Sequence, residues 1–396
     1  MSARSGHQVP TGSGPPSHEP AECDFSGSVP VGFPPGLPSP GTRPGAFPPG
    51  CELIAPVACR ARRMVNLYSD TQTRPTEGMR RAIASAEVAD EQRGADPTTN
   101  RLQERVAELL GHEAALFLPS GTMCNQIAFR LHARLGGDEM LLDRSAHPII
   151  AEAGGPAQNA QLMIHALDGD GGIFTPEQLT AAIRPESRYL PRSRLVSVEQ
   201  TTNMGGGRVW PLELAREVLA AARDHRLRAH MDGARLMNAV VASGVPAYEF
   251  AGGFDTAWID FTKGLGAPVG AALAGSRELI AEAWRWKQMM GGAFRQSGIV
   301  AAGCLYSLDH HVERLAEDHE NARVLAEGLA ELGLDVIPPQ TNIVIFGAPD
   351  GFLDSMAEHG VELSGTPDGR VRAVTHLDVD RAGVERALEA AGALLP

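Results

Sequence analysis

The run Asp255–Gly275, DTAWIDFTKGLGAPVGAALAG, sets one lysine in a largely apolar stretch. Its first seven residues, DTAWIDF, read as a strand, and Lys263 follows two residues after it. An ammonium group is expensive to bury in such a place. In sheets of parallel strands, ligands bind beyond the carboxyl ends, and Lys263 stands at such an end. Two readings are open at this point. The lysine snorkels from the strand end to water, or its proton affinity is lowered by desolvation and it forms a Schiff base with a carbonyl cofactor. On the second reading, Gly264 and Gly266 let backbone pass close to a flat ligand.

The surrounding segments alternate in type. TNRLQERVAELLG (99–111) has the period of an amphipathic helix ending at a capping glycine. AALFLP (114–119) is a short apolar strand, and TMCNQIAFRLHARLG (122–136) a helix. RLVSVEQ (194–200) and LRAHMD (227–232) read as strands, with the helix PLELAREVLAAARDHR (211–226) between them. This order implies an α/β fold, a mostly parallel sheet with helices on both faces. After about residue 300 come long helices, then DVIPPQTNIVIFGA, GRVRAVTHLD and a last helix. The expected division is a large domain over 64–300 and a small C-terminal α+β domain over 301–396. Residues 1–63 are rich in Pro, Gly and Ser without periodicity and read as a disordered tail. Met64 directly precedes VNLYSDTQTRPT, so a misassigned start upstream of it is a further expectation.

The formal net charge of −13 argues against nucleic acid or an anionic membrane surface as the main partner. It leaves room for a small anion in a local basic pocket. No apolar run is long enough for a helical membrane span, and the first residues lack the pattern of a signal peptide. Five scattered cysteines without CxxC spacing suggest reduced thiols and a cytoplasmic protein, with no metal site.

Two more candidates lie at strand ends. Ser120-Gly121-Thr122 follows a strand and opens a helix, where free N–H groups and the helix dipole form a phosphate cup; it is equally an ordinary capped turn. Asp232, in HMDGARLMNA, reads either as a helix N-cap or as a carboxylate facing a cationic ring nitrogen. Arg235 either pairs with Asp232 or reaches an anionic group of a ligand. A phosphate cup, a carboxylate for a pyridine nitrogen and a Schiff-base lysine together specify pyridoxal phosphate.

The segments SDTQTRPTEGM, GADPTTNRLQ, LFLPSGTMCNQIA, AHPIIAEAGG, HMDGARLMNAVVASG, TKGLGAPVG, MMGGAFRQSG, QTNIVIF and VRAVTHLDV cover the chain from Met64 onward. In this order they resemble the low-specificity threonine aldolase family, or β-eliminating lyase group, of fold-type I pyridoxal phosphate enzymes. The resemblance implies a lyase that cleaves a β-hydroxy-α-amino acid to glycine and an aldehyde. It implies Lys263 as the cofactor-bearing lysine, Asp232 as the partner of the ring nitrogen, and Gly121 and Thr122 as phosphate ligands. Arg295 is similar to an arginine that reaches a phosphate across a subunit boundary, in a homodimer or homotetramer. His147 corresponds to a histidine that stacks on the ring near the reacting bond; Ser69, Arg235 and Arg372 correspond to the group that binds the substrate carboxylate.

Three positions depart from the family pattern. Thr202, in EQTTN, replaces a histidine close to the substrate hydroxyl, and a threonine cannot act as a base near neutral pH. Arg93, in EQRGADPT, replaces a tyrosine, and either pairs with an acidic group of the substrate or is a surface or interface charge. Gln288 stands where the family has a lysine near the phosphate, with Lys287 beside it. Other outcomes of the same carbanion, namely β-elimination, racemisation or aldol-type transfer, stay open, as does a non-catalytic cofactor-binding or scaffold protein.

Overall fold

The computed structural model describes residues 64–134 and 136–395. The expectations for residues 1–63 fall outside them. A seven-stranded sheet forms the centre, in the order Ala114–Leu118, Ala271–Gly275, Thr256–Asp260, Arg228–Asp232, Ser193–Glu199, Glu139–Asp143, Met163–Leu167. Ala271–Gly275 runs antiparallel to both of its neighbours, and the other six strands share one direction. The expected mostly parallel sheet is present.

The quoted run contains two strands. Thr256–Asp260 and Ala271–Gly275 pair with Thr256 opposite Gly275 and Asp260 opposite Ala271, and the lysine loop joins them. The second strand, AALAG, is poor in β-branched and aromatic residues, which is why periodicity alone does not reveal it. Burial decides instead: all five of its residues are buried.

Side chains alternate between two apolar layers, as the two-residue period of a strand requires. Phe117, Ala257 and Ile259 enter one layer, with Leu102, Val106 and Leu110 of the helix Pro97–Leu110. Leu116, Leu118, Trp258 and Leu273 enter the other, with Ile127 and Ile280. Helix ends follow local chemistry. Asp96 caps Pro97–Leu110 by accepting from Thr99 N–H at 2.9 Å, and Gly111, at φ +69°, ends it.

A separate apolar cluster lies between a four-stranded antiparallel sheet, ordered Ser364–Gly365, Val371–Val374, Ile343–Phe346, Val336–Ile337, and the helices Leu315–Glu331 and Arg381–Leu394. Val65 and Leu67 belong to this cluster, while Ala301, Cys304 and Leu308 of helix Gly298–His310 belong to the central one. Membership thus crosses residue 300 in both directions. No helix among the described residues is long and apolar enough to cross a membrane.

Candidate active site

The candidate residues gather at the carboxyl ends of the central strands. Lys263 Nζ donates to Asp260 Oδ2 at 2.6 Å, and the lysine side chain is 17% exposed. The last residue of the lysine's own strand thus supplies the counter-charge. Thr73 Oγ1 donates to the Lys263 carbonyl at 2.8 Å and holds the loop. The two glycines also have close neighbours within the protein. A Cβ on Gly264 would come within 2.7 Å of Leu315, and Gly266, at φ +73°, packs against Leu377 and His311. They serve close packing and a left-handed turn within the protein.

Asp232 ends the strand Arg228–Asp232 and is 2% exposed. It does not cap a helix, since the next one begins at Leu236; its Oδ1 accepts from Ala234 N–H at 3.0 Å in a tight turn. Asn125 Nδ2 donates to Oδ2 at 2.9 Å. Asn125 is itself fixed, accepting at Oδ1 from Trp258 Nε1 at 2.7 Å. No ion pair forms on Asp232 among the described residues. Its surroundings are acidic: Glu199 lies opposite it in the neighbouring strand, and Glu152 is held by the same Asn125 amide at 2.7 Å. Burial raises the proton affinity of Asp232, against the influence of His147, Asn125 and Lys263. Burial, then Asp232, pushes the Glu199 pKa up to about 7.

His147 pairs through Nδ1 with Glu152 Oε1 at 2.9 Å, and its backbone N–H donates to Glu199 Oε1 at 3.2 Å. Burial works to lower the proton affinity of the ring. The bond to Glu152 and the charges of Asp232 and Glu152 outweigh it, so the pKa is raised. The helix Gly121–His132 begins at the expected turn. Ser120 caps Met123 N–H with its hydroxyl and Cys124 N–H with its carbonyl, and neither the Gly121 nor the Thr122 N–H has a partner among the described residues. Gly121 is also required by packing, because a Cβ there would meet the Trp258 ring at 2.2 Å.

A second cluster joins the chain's early and late segments. Arg235 makes a two-pronged pair with Asp70, at 2.8 and 2.7 Å, and both side chains are buried. The pair is with Asp70, in place of the Asp232 pairing that the sequence offered as one alternative. Against the effect of burial, Arg235, Lys263 and Arg372 hold the Asp70 carboxyl well below the usual range. Arg372, in the strand Val371–Val374, is 5% exposed. It donates to Asn203 Oδ1 at 2.8 Å and to the Tyr68 carbonyl at 3.3 Å. It forms no ion pair, and its buried Nε has no partner among the described residues. Burial and then the nearby Arg235 guanidinium lower its pKa to about 10. Ser69 lies at the edge of this cluster; its hydroxyl accepts from Thr71 N–H and Oγ1, at 3.3 and 3.0 Å.

Three expected residues stand apart. Arg295 is 65% exposed, 3.6 Å from Asp90, with no recorded contact to Ser120, Gly121 or Thr122. Arg93 is exposed and has no side-chain hydrogen bond or ion pair among the described residues. Thr202 is fully buried and accepts from Arg208 N–H at 3.2 Å. A Cβ on Gly172 would lie 2.8 Å from its methyl group, and one on Gly205 would lie 2.5 Å from its hydroxyl oxygen. The Gly-rich loop 203–207 therefore wraps Thr202 and delivers Asn203 to the two arginines. Lys287 is enclosed as well, paired with Glu91. Sequence reasoning missed Asp260, Asn125, Glu152, Asp70 and Asn203. Asp260 had a signal, three residues before Lys263; the others are brought in by long-range contacts.

The charges left open match pyridoxal phosphate bearing an amino acid. A buried carboxylate without an ion pair suits a protonated ring nitrogen, and a buried guanidinium without one suits a substrate carboxylate. Open N–H groups at a helix start suit a phosphate.

The family model of the β-eliminating lyases matches residues 66–348. The low specificity L-threonine aldolase of Escherichia coli K12 is 40% identical over 323 residues, spanning 80% of this chain and 95% of that protein. The low-specificity L-threonine aldolase 1 of Arabidopsis thaliana is 36% identical over 339 residues, spanning 82% and 95%. Among solved structures, a putative L-allo-threonine aldolase from Listeria monocytogenes superposes with a TM-score of 0.70 at 22% identity, covering 83% of this chain and 96% of that one. Leishmania major threonine aldolase gives a TM-score of 0.73 at 19% identity, covering 84% and 99%. The chain belongs to the β-eliminating lyase family of fold-type I, pyridoxal phosphate-dependent enzymes.

Proposed function

We propose that this enzyme is a carbon–carbon lyase that cleaves a β-hydroxy-α-amino acid to glycine and an aldehyde, as the names of its relatives suggest. The observation that carries the reading is that two buried ionisable groups near the strand-end Lys263, Asp232 and Arg372, form no ion pair among the described residues. When bound, pyridoxal phosphate supplies an electron sink for negative charge developing at the substrate α-carbon.

Each residue then has a part. Lys263 Nζ bears the cofactor. Asp232 keeps a proton on the ring nitrogen, and Asn125 holds that carboxylate in place. Gly121 and Thr122 offer N–H groups and a hydroxyl to the phosphate. Arg372 would bind the substrate carboxylate and so fix the orientation in which the substrate is held. Asn203 links Arg372 to Arg235, and Asp70 anchors Arg235. Ser69 closes the edge of this pocket.

The proton of the substrate β-hydroxyl goes to His147 or to water. Thr202 cannot serve as that base near neutral pH, and its burial and its bond to Arg208 support a positioning role. His147 is turned by Glu152 at Nδ1, which leaves Nε2 for the reaction. The reading extends to a homodimer or homotetramer in the cytoplasm, with Arg295 reaching a phosphate in a neighbouring subunit's site and Arg93 either meeting an acidic group of the substrate or standing as a surface or interface charge. The division into a cofactor domain, 64–300, and a small domain, 301–396, is part of the same proposal.

Product analysis tests it. The cofactor-loaded protein is incubated with L-threonine, L-allo-threonine, L-phenylserine and the 3-hydroxyaspartates. Glycine with the matching aldehyde is the expected result. Keto acid without glycine moves the reaction to β-elimination, and no turnover of any of them supports a non-catalytic role.

A further inference from the structure

At the other end of the sheet lies a cavity of about 890 Å³ that takes no part in the reaction. It opens where the strands Glu139–Asp143, Ser193–Glu199 and Arg228–Asp232 begin, opposite the carboxyl ends that carry Lys263 and Asp232. Seven arginines line it, against three carboxylates. In a chain of net charge −13 such a concentration of positive charge is a local construction.

The arginines fall into two groups. Four are engaged: Arg192 pairs with Asp138 at 3.0 Å, Arg228 with Asp255 at 2.6 Å, and Arg184 with Glu139 at 2.7 Å, while Arg223 donates to the Gly253 carbonyl at 2.8 Å. Arg134, Arg194 and Arg226 have no carboxylate partner among the described residues. Arg194 is the telling member. Its Nε is buried and has no hydrogen-bond partner, a loss that a folded protein ordinarily avoids. Its place in the strand is also irregular. Glu139 pairs with Ser193 and Met140 with Leu195, so a bulge leaves Arg194 out of that ladder. Bulges of this kind re-aim a side chain. Burial and the neighbouring Arg134 and Arg228 guanidiniums disfavour its charge, and the nearby Asp138 offsets them only in part.

We propose that this cavity binds a small oligophosphate anion, with Arg134, Arg194 and Arg226 as its ligands, at a site separate from the active site. Guanidinium groups match phosphate oxygens in pairs. Three free guanidiniums call for a ligand with several negative charges, which a single carboxylate lacks. The volume fits a small ligand, and the acidic chain as a whole disfavours long nucleic acid.

The test uses the pyridoxal phosphate-loaded enzyme, so that the active-site phosphate cup is filled. Calorimetric titration with inorganic tripolyphosphate and with ATP, at low salt, is expected to give saturable binding. Arg134→Gln combined with Arg194→Gln is expected to weaken it at least ~10-fold, the size of a lost charge-assisted contact. Arg226→Gln, at an exposed position that folding tolerates, shifts it in the same direction. Arg323→Gln, on a remote helix and paired with Glu320 and Glu327, leaves it unchanged. ATP binding more tightly than tripolyphosphate assigns the ligand to nucleotides, and equal or weaker binding assigns it to the phosphate chain; both support the site if the variants weaken them. Turnover of the amino acid substrate should be the same in wild type and Arg226→Gln without added phosphate. No saturable binding of either probe, or unchanged affinity in both cavity variants, overturns the proposal.

Discussion

The chain contains only two lysines, Lys263 and Lys287, and the fold treats them in opposite ways. Lys287 is 0% exposed, paired with Glu91, and its Nζ lies 4.9 Å from the Trp284 ring centre and 5.6 Å from that of Phe294. Every side of it is occupied by protein. Lys263 is paired with Asp260 but keeps 17% of its side chain exposed, and the nearby Asp232 and Arg372 form no ion pair among the described residues. The contrast teaches that a buried lysine is not by itself a sign of chemistry. The sign is the company of buried ionisable groups without an ion pair among the described residues, here Asp232 and Arg372, since buried charges are costly unless something completes them.

Substitutions break or sharpen this contrast. Lys263→Ala should reduce kcat at least ~1,000-fold, as loss of a covalent catalytic group does, in a protein with an unchanged far-UV spectrum. Lys287→Met should do the reverse. It leaves Glu91 buried and unpaired and should cost about 3 kcal/mol of stability in chemical denaturation, with chemistry per folded molecule kept. Arg372→Ala should lower kcat/KM by ~30-fold or more, mainly through KM, because a desolvated charge contact to the substrate is lost. Thr202→His, which restores the family residue, should lower stability by about 1–2 kcal/mol and bring no gain in rate, since Gly172 and Gly205 close on that position.

The smallest effect concerns pH. The His147 pKa is raised by Glu152, so if neutral His147 takes the proton, activity should rise with pH through a limb displaced to the alkaline side of a free histidine. Glu152→Gln removes the negative partner, and the limb should move to lower pH. A pH profile of kcat/KM reads both.

Legibility in the sequence followed the range of the interactions. Lys263, Asp232 and the Ser120 turn were readable because strand ends and helix starts are local features, and the fold keeps them at one end of the sheet. The partners that give them meaning were not. Asn125 is 107 residues from Asp232, and Asp70 is 165 from Arg235, so no window of sequence joins them. The strand Ala271–Gly275 was hidden by its alanines, which tertiary burial rather than propensity places in the sheet. The packing role of the glycines after Lys263 was not legible, because their neighbours Leu315, Leu377 and His311 arrive from far along the chain. Val65 and Leu67, which read as the start of the large domain, pack with the C-terminal sheet for the same reason.

Because there are only two lysines, one measurement tests the contrast directly. The pyridoxal phosphate-loaded protein is reduced with borohydride, digested, and its peptides are weighed by mass spectrometry. The expected result is the pyridoxyl mass on the peptide carrying Lys263 and its absence from the peptide carrying Lys287. A label on Lys287, or on neither lysine in protein that retains the cofactor, would contradict the assignment of Lys263 as the cofactor-bearing residue.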